Sequence, residues 1–153
     1  MRPTQRHLAS LWSEVYVAQP DYAALAEAAL AARALAYVPY SAFQVGAAVL
    51  TASGRIFPGG NIENAAYPMT VCAERVALFS AYAAGEREIV ALAVVTDTAD
   101  VASPCGACRQ VLFELAPHST VLLLNLRGAR RLTTPQELLP AGFGPTQLGE
   151  MGL

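Results

Sequence analysis

The hydrophobic pattern of this chain changes rhythm several times, and each change predicts an element. From Pro20 and Asp21 to about Ala36, the residues Leu25, Ala28, Ala29, Ala32, Leu35 and Ala36 recur at helical spacing, the mark of a helix with one face in a core. After Val38 and Pro39 the chain reads as a hairpin: a strand within Tyr40–Leu50, a turn at Ser53-Gly54, then Arg55-Ile56-Phe57 and a break at Pro58-Gly59-Gly60. Residues 71–84 return to the helical period, with Val76, Phe79, Ser80 and Ala83 on one stripe, and 106–116 follow with Cys108, Val111, Leu112 and Leu115. Two short, continuously apolar runs, 90–97 and 121–126, have the composition of strands buried on both faces. Residues 134–140 predict a short helix between prolines. Strand, helix and strand over 90–126 form a crossover unit of the parallel, right-handed kind. The expected architecture is a mixed sheet with helices on both faces, with any ligand at the carboxyl ends of its strands.

Composition narrows this picture. With 153 residues, 54% of them hydrophobic, the chain can build one domain with a sizeable core, expected over residues 21–148, with an N-terminal extension of unknown role at 1–20 and a tail at 149–153. The extension contains Trp12 and no motif, and reads either as a short docking segment or as a partly disordered one. A net charge of -2 offers no general attraction to nucleic acid or to anionic membranes. Arg127, Arg130 and Arg131, interleaved with glycine and alanine, read as a solvated turn. The most apolar long run, 23–38, carries Glu27 and Arg33 and falls short of a membrane span, and no basic segment followed by an apolar run opens the chain. Three cysteines, an odd number in metal-like spacing, point to a reducing, cytoplasmic setting.

Those cysteines carry the chemistry. Cys105 and Cys108 stand at i and i+3, so at the start of a helix both thiolates share one face and can share one ion. Cys72 and Glu74 stand at i and i+2, and serve one site only if it lies off the end of their helix. Two helix N-termini converging on one point favour thiolate over thiol. Three protein ligands leave an open position, the arrangement of a catalytic rather than a structural zinc. His7 and His118 are the only spare imidazoles, and His118, after Pro117, falls at the far end of the second helix, where it reads as a surface residue. Zinc in such a site lowers the pKa of a bound water from about 15.7 towards about 7, with Glu74 placed to handle protons and Arg75 to offset the negative charge of three thiolates.

The two-part pattern, Cys72-Ala73-Glu74-Arg75 and Pro104-Cys105-Gly106-Ala107-Cys108, with Asn61-Ile62-Glu63-Asn64-Ala65-Ala66-Tyr67 upstream, resembles the short-chain, three-cysteine type of the zinc-dependent cytidine and deoxycytidylate deaminase family. The resemblance runs from about Tyr37 to Leu148. It implies a three-layer α/β/α fold with a central mixed sheet of about five strands. It also implies one Zn2+ per chain on Cys72, Cys105 and Cys108, Glu74 as general acid and base, and hydrolytic deamination of cytidine and deoxycytidine by attack of activated hydroxide on C4. By the same resemblance Phe43 stacks on the pyrimidine ring, Asn61 and Glu63 hold a ribose hydroxyl, and Tyr67 belongs to the substrate set. Backbone around Ala73 and Pro104 bonds the base, and Phe143 reaches a neighbouring subunit's site in a homotetramer. The partner so implied is a free nucleoside rather than a nucleic acid polymer.

Read from residues alone, Phe43 is equally a core aromatic, and Asn61 and Glu63 are equally turn residues after Gly59-Gly60. Three other functions stay open: deamination of a modified nucleoside such as blasticidin S, a zinc-stabilised interaction module without catalysis, and a Cys-x-x-Cys redox protein that works without metal.

Overall fold

Five strands and four α-helices make up most of residues 21–149, the part of the chain that the computed structural model describes; the expectations placed on 1–20 and on 150–153 lie outside it. In chain order these are α1 (Asp21–Arg33), β1 (Gly46–Thr51), β2 (Ile56–Gly60), α2 (Ala73–Ala83), β3 (Ile89–Thr96), α3 (Gly106–Leu115), β4 (Thr120–Asn125), β5 (Arg130–Thr133) and α4 (Pro135–Leu138). The sheet order is β2-β1-β3-β4-β5, with β3 and β4 parallel and the other neighbours antiparallel. The crossover β3-α3-β4 forms as its apolar runs predict.

Side chains alternate across the sheet with the period of two that strands impose. Ala48, Leu50, Ala91, Ala93, Val95, Leu122 and Leu124 face α1, against Tyr22, Leu25, Ala26, Ala29 and Leu30. Ala47, Val49, Leu92, Val94, Val121 and Leu123 face α2 and α3, against Ala73, Ala77, Leu78, Ala81 and Leu112. Three layers result, α/β/α. Among the described residues no helix is long and apolar enough to cross a membrane.

Several boundaries and faces differ from the sequence pattern. Helix α1 stops at Arg33, its last turn tightened by bonds from the Leu35 amide to the Ala32 carbonyl and from Ala36 to Arg33, and Leu35 is 80% exposed rather than in the stripe. The stripe on α2 is inverted: Phe79, Ser80 and Ala83 face outwards, while Ala73, Ala77, Leu78 and Ala81 are buried. The reason is a close approach. A Cβ on Gly59 would stand 2.5 Å from the Ala77 nitrogen and 2.7 Å from the Ala73 carbonyl oxygen, so only small residues fit the face of α2 against β2. Pro58-Gly59-Gly60, expected as a break, continues β2 and pairs with β1, which a proline tolerates on an edge strand. Strand β1 begins only at Gly46, leaving 40–45 as loop, and Arg130 and Arg131 belong to the exposed edge strand β5 rather than to a turn.

The site is positioned by these pairings. Gly46, the first residue of β1, lies opposite Val95 near the carboxyl end of β3, and the same edge of the sheet receives the N-termini of α2 and α3.

Candidate active site

Cys72 and Cys105 are the residues immediately before α2 and α3, both in extended backbone conformation (φ -70°, ψ 153° and φ -65°, ψ 166°). Glu74 and Cys108, the second and third residues of their helices, join them from the first turns. The three sulfurs lie within 4.8 Å of one another, with Cys72 Sγ and Cys105 Sγ 3.8 Å apart, and none is in a disulfide. Unbridged thiols at this separation, at two positive helix ends, fit a soft divalent ion such as zinc.

The electrostatics are those of thiols competing for protons. Cys72 is pushed down to about 5, chiefly by the hydrogen bond from the Cys108 thiol, with help from Arg75, whose Nη2 donates to Cys72 Sγ at 3.3 Å. Cys108, fully buried and donating to Cys72, is pushed up. Arg75 is held more firmly protonated by the same sulfur. Glu74 is 6% exposed, and burial, then the neighbouring Cys72 charge, raises its carboxyl above the ordinary range.

Two of the three cysteines, Cys72 and Cys105, open onto a cavity of about 210 Å³ with Cys108 buried beside them. Phe43, Asn61, Cys72, Ala73, Glu74 and Cys105 line it, joined by Val45, Thr70, Val94, Thr96, Ala102 and Ser103. Phe43 is therefore a half-exposed wall, not a core residue. The second group of lining residues had no motif to mark it. Thr96 alone gave a signal, as a polar residue at the carboxyl end of a buried strand. An adjoining cavity of about 280 Å³ is lined by Tyr40, Ser41, Glu63, Tyr67 and Thr70, so Thr70 borders both. Tyr67 meets the Tyr40 ring edge-on, with centroids 5.7 Å apart.

Asn61 and Glu63 do more than face the cavities. Asn61 Oδ1 accepts from the Val45 amide at 2.8 Å and its Nδ2 donates to the Phe43 carbonyl at 2.9 Å, which fixes the aromatic wall. Glu63 accepts from the Ser41 hydroxyl and from the Tyr40 and Ser41 amides at 2.9 and 3.3 Å, and the Ser41 hydroxyl foremost holds its carboxyl below the ordinary range. One N–H of Asn61 and the remaining lone pairs of Glu63 are left for a ligand. Pro104 is buried behind Cys105. Phe143 is 59% exposed and does not line the cavity.

The cytidine and deoxycytidylate deaminase zinc-binding region matches residues 20–124 of the chain. Cytidine deaminase of Halalkalibacterium halodurans is 55% identical over 124 residues, covering 80% of this chain and 94% of the relative. That of Sporosarcina psychrophila is 54% identical over 118 residues, covering 76% and 87%. Among solved structures, cytidine deaminase from Burkholderia pseudomallei superposes with a TM-score of 0.77 at 54% identity, over 78% of this chain and 97% of that one.

Proposed function

Because the chain belongs to the cytidine and deoxycytidylate deaminase family, we propose that it hydrolyses cytidine and deoxycytidine to uridine and deoxyuridine with release of ammonia. The observation that carries this is the meeting of three unbridged thiols with one buried carboxylate, Glu74, beside a single cavity onto which Cys72, Cys105 and Glu74 open.

Cys72, Cys105 and Cys108 are the residues that hold zinc, and the family's matching region is a zinc-binding one. When bound, the metal supplies Lewis acidity that brings the pKa of a water from about 15.7 towards about 7. Glu74 does the proton work. Its carboxylate takes a proton from the attacking water as the oxygen bonds to C4, delivers one to N3 so that C4 becomes electrophilic, and passes the next to the amino group, which leaves as ammonia when the C4–N bond breaks. Its raised pKa, a consequence of burial, suits a group that must both accept and give. Phe43, held by Asn61 through its own carbonyl, presents a ring face to the pyrimidine. Asn61 and Glu63 take the sugar with their unused donor and acceptor sites, and Tyr67 borders the sugar from the adjoining cavity. The backbone at Ala73 and Pro104 bonds the base edge. Arg75 offsets the thiolate charge.

The working unit in this reading is a homotetramer of the domain over residues 21–148, and Phe143 completes a neighbouring protomer's cavity; its exposure outside its own cavity supports this. Free thiols in close array support a cytoplasmic setting. The adjoining cavity carries Glu63 as its one ionisable acid, which opposes a substrate phosphate and favours a free nucleoside. The test is loss of the cytosine chromophore with cytidine, deoxycytidine and cytidine 5′-phosphate in parallel. Turnover of both nucleosides and little of the phosphate is expected; turnover of the phosphate alone overturns the substrate assignment.

A further inference from the structure

Arg109 and Gln110 close the second cysteine motif, and the chemistry above uses neither. Their side chains nevertheless make specific hydrogen bonds. Arg109 follows Cys108 on α3 and lies partly buried, and its guanidinium donates in three directions. Nε bonds the Pro104 carbonyl at 2.8 Å, Nη2 the Ser103 hydroxyl at 2.8 Å, and Nη1 the Leu138 carbonyl at the end of α4 at 3.0 Å. Gln110 Nε2 donates to the Phe143 carbonyl at 2.8 Å. Two of the Arg109 bonds thus fix the residues that lead into Cys105, and Ser103 also lines the cavity. The third bond, with that of Gln110, fixes the C-terminal segment that carries Phe143.

That segment is also pressed flat on α3. A Cβ at Gly142 would stand 3.0 Å from Phe113 and one at Gly144 3.2 Å from it, so the chain crosses this helix with no room to spare. We propose that Arg109 is a positioning residue that joins the Cys105 loop to the C-terminal segment as one rigid unit, with Gln110 as the second tie on the Phe143 side. The chemical reason for arginine is its planar fork: three acceptors on two segments are met at once by fixed N–H directions, which a lysine ammonium on a flexible stem does not reproduce. Pro104 and Cys105 are then held in place before any ligand arrives, and the metal ligand and the outer aromatic cannot shift independently.

This inference rests on the zinc and substrate assignments above, and its test separates the two. Wild type, Arg109→Lys, Ser103→Ala and Gln110→Ala are each loaded with zinc, and zinc release to a chromogenic chelator, thermal midpoint, KM and kcat for cytidine are measured. Arg109→Lys is expected to release zinc on the order of tenfold faster and to raise KM by a similar factor, the scale on which residues behind metal ligands act. Gln110→Ala is expected to raise KM by several-fold at the wild-type rate of zinc release. Should Arg109→Lys fail to fold, Ser103→Ala removes only the Nη2 partner and is expected to speed release by a smaller factor. Wild-type zinc release in Arg109→Lys or in Ser103→Ala, whatever the thermal midpoint, overturns the coupling. A wild-type chain that holds no zinc overturns the metal assignment and this inference with it.

Discussion

The sulfurs of Cys72 and Cys105, each the residue that opens its own helix, lie 3.8 Å apart. The segment between them contains all of α2 and the core strand β3, so the two halves of the centre meet only when the sheet has formed. A metal bound to both therefore binds the folded chain and not the unfolded one.

Zinc should for that reason raise the thermal midpoint. At a free concentration a hundred times its dissociation constant, the stabilisation is about 2.7 kcal/mol. Melting curves with zinc and with a chelator check this; coincident curves would mean that the thiols do not form a metal centre.

Glu74→Gln keeps the shape of the buried side chain and removes its basicity. Zinc content and thermal midpoint should stay near wild type while kcat falls by about 10²–10⁴, the usual weight of a general acid and base. Metal analysis beside steady-state kinetics decides it, and a variant within threefold of wild-type kcat would remove Glu74 from the mechanism.

Gly59→Ala places a methyl group 2.5 Å from the Ala77 nitrogen and must push α2 off β2. A loss of about 1–3 kcal/mol follows from overpacking of this kind. Because α2 carries Cys72 and Glu74 at its start, activity per folded molecule should drop as well. Urea unfolding and kinetics on the same sample test both effects; an unaltered midpoint would show that the helix can move without cost.

That contact also shows why the fold was only partly legible in the sequence. The apolar runs 90–97 and 121–126 gave β3, β4 and their crossover, because strands buried on both faces leave little but aliphatic residues. The burial face of α2 was misassigned because size, not hydrophobicity, decides what fits against Gly59, and alanines carry a weak signal beside Phe79. At the site, spacing alone brought Cys72, Glu74, Cys105 and Cys108 together. Val45, Val94 and Ala102 line the cavity only through the sheet register and the loop path, which local pattern does not encode. The second duty of Asn61, as a tie to Phe43 and Val45, was equally invisible, since a hydrogen bond between loops leaves no periodicity.

Glu63 makes a pH-dependent tie. Its carboxyl titrates below the ordinary range because the Ser41 hydroxyl and the Tyr40 and Ser41 amides favour the charged form. A depressed folded-state value means that the tie is fully present above the unfolded carboxylate pKa of about 4.3 and is lost as pH falls through the lower folded value. The amide resonance of Tyr40 should follow this lowered titration in NMR spectra, and Ser41→Ala should move its midpoint up. A Tyr40 amide that titrates at the ordinary carboxylate midpoint in wild type contradicts the assignment.

The proposed sharing of active sites between protomers of a homotetramer can be tested by complementation. Mixing inactive Glu74→Gln with weakened Phe143→Ala under subunit exchange should restore activity, because some cavities then pair an intact Glu74 with a neighbour's Phe143. Activity equal to the sum of the separate variants would show that each protomer works alone.

The most direct test of the whole account is cytidine turnover and zinc content measured on one purified sample, before and after chelation and after zinc is returned. The account predicts about one zinc per chain, conversion to uridine and ammonia, loss of both with the chelator and recovery of both with zinc. Turnover that persists in the metal-free chain, or a zinc-loaded chain that leaves cytidine unchanged, would contradict it.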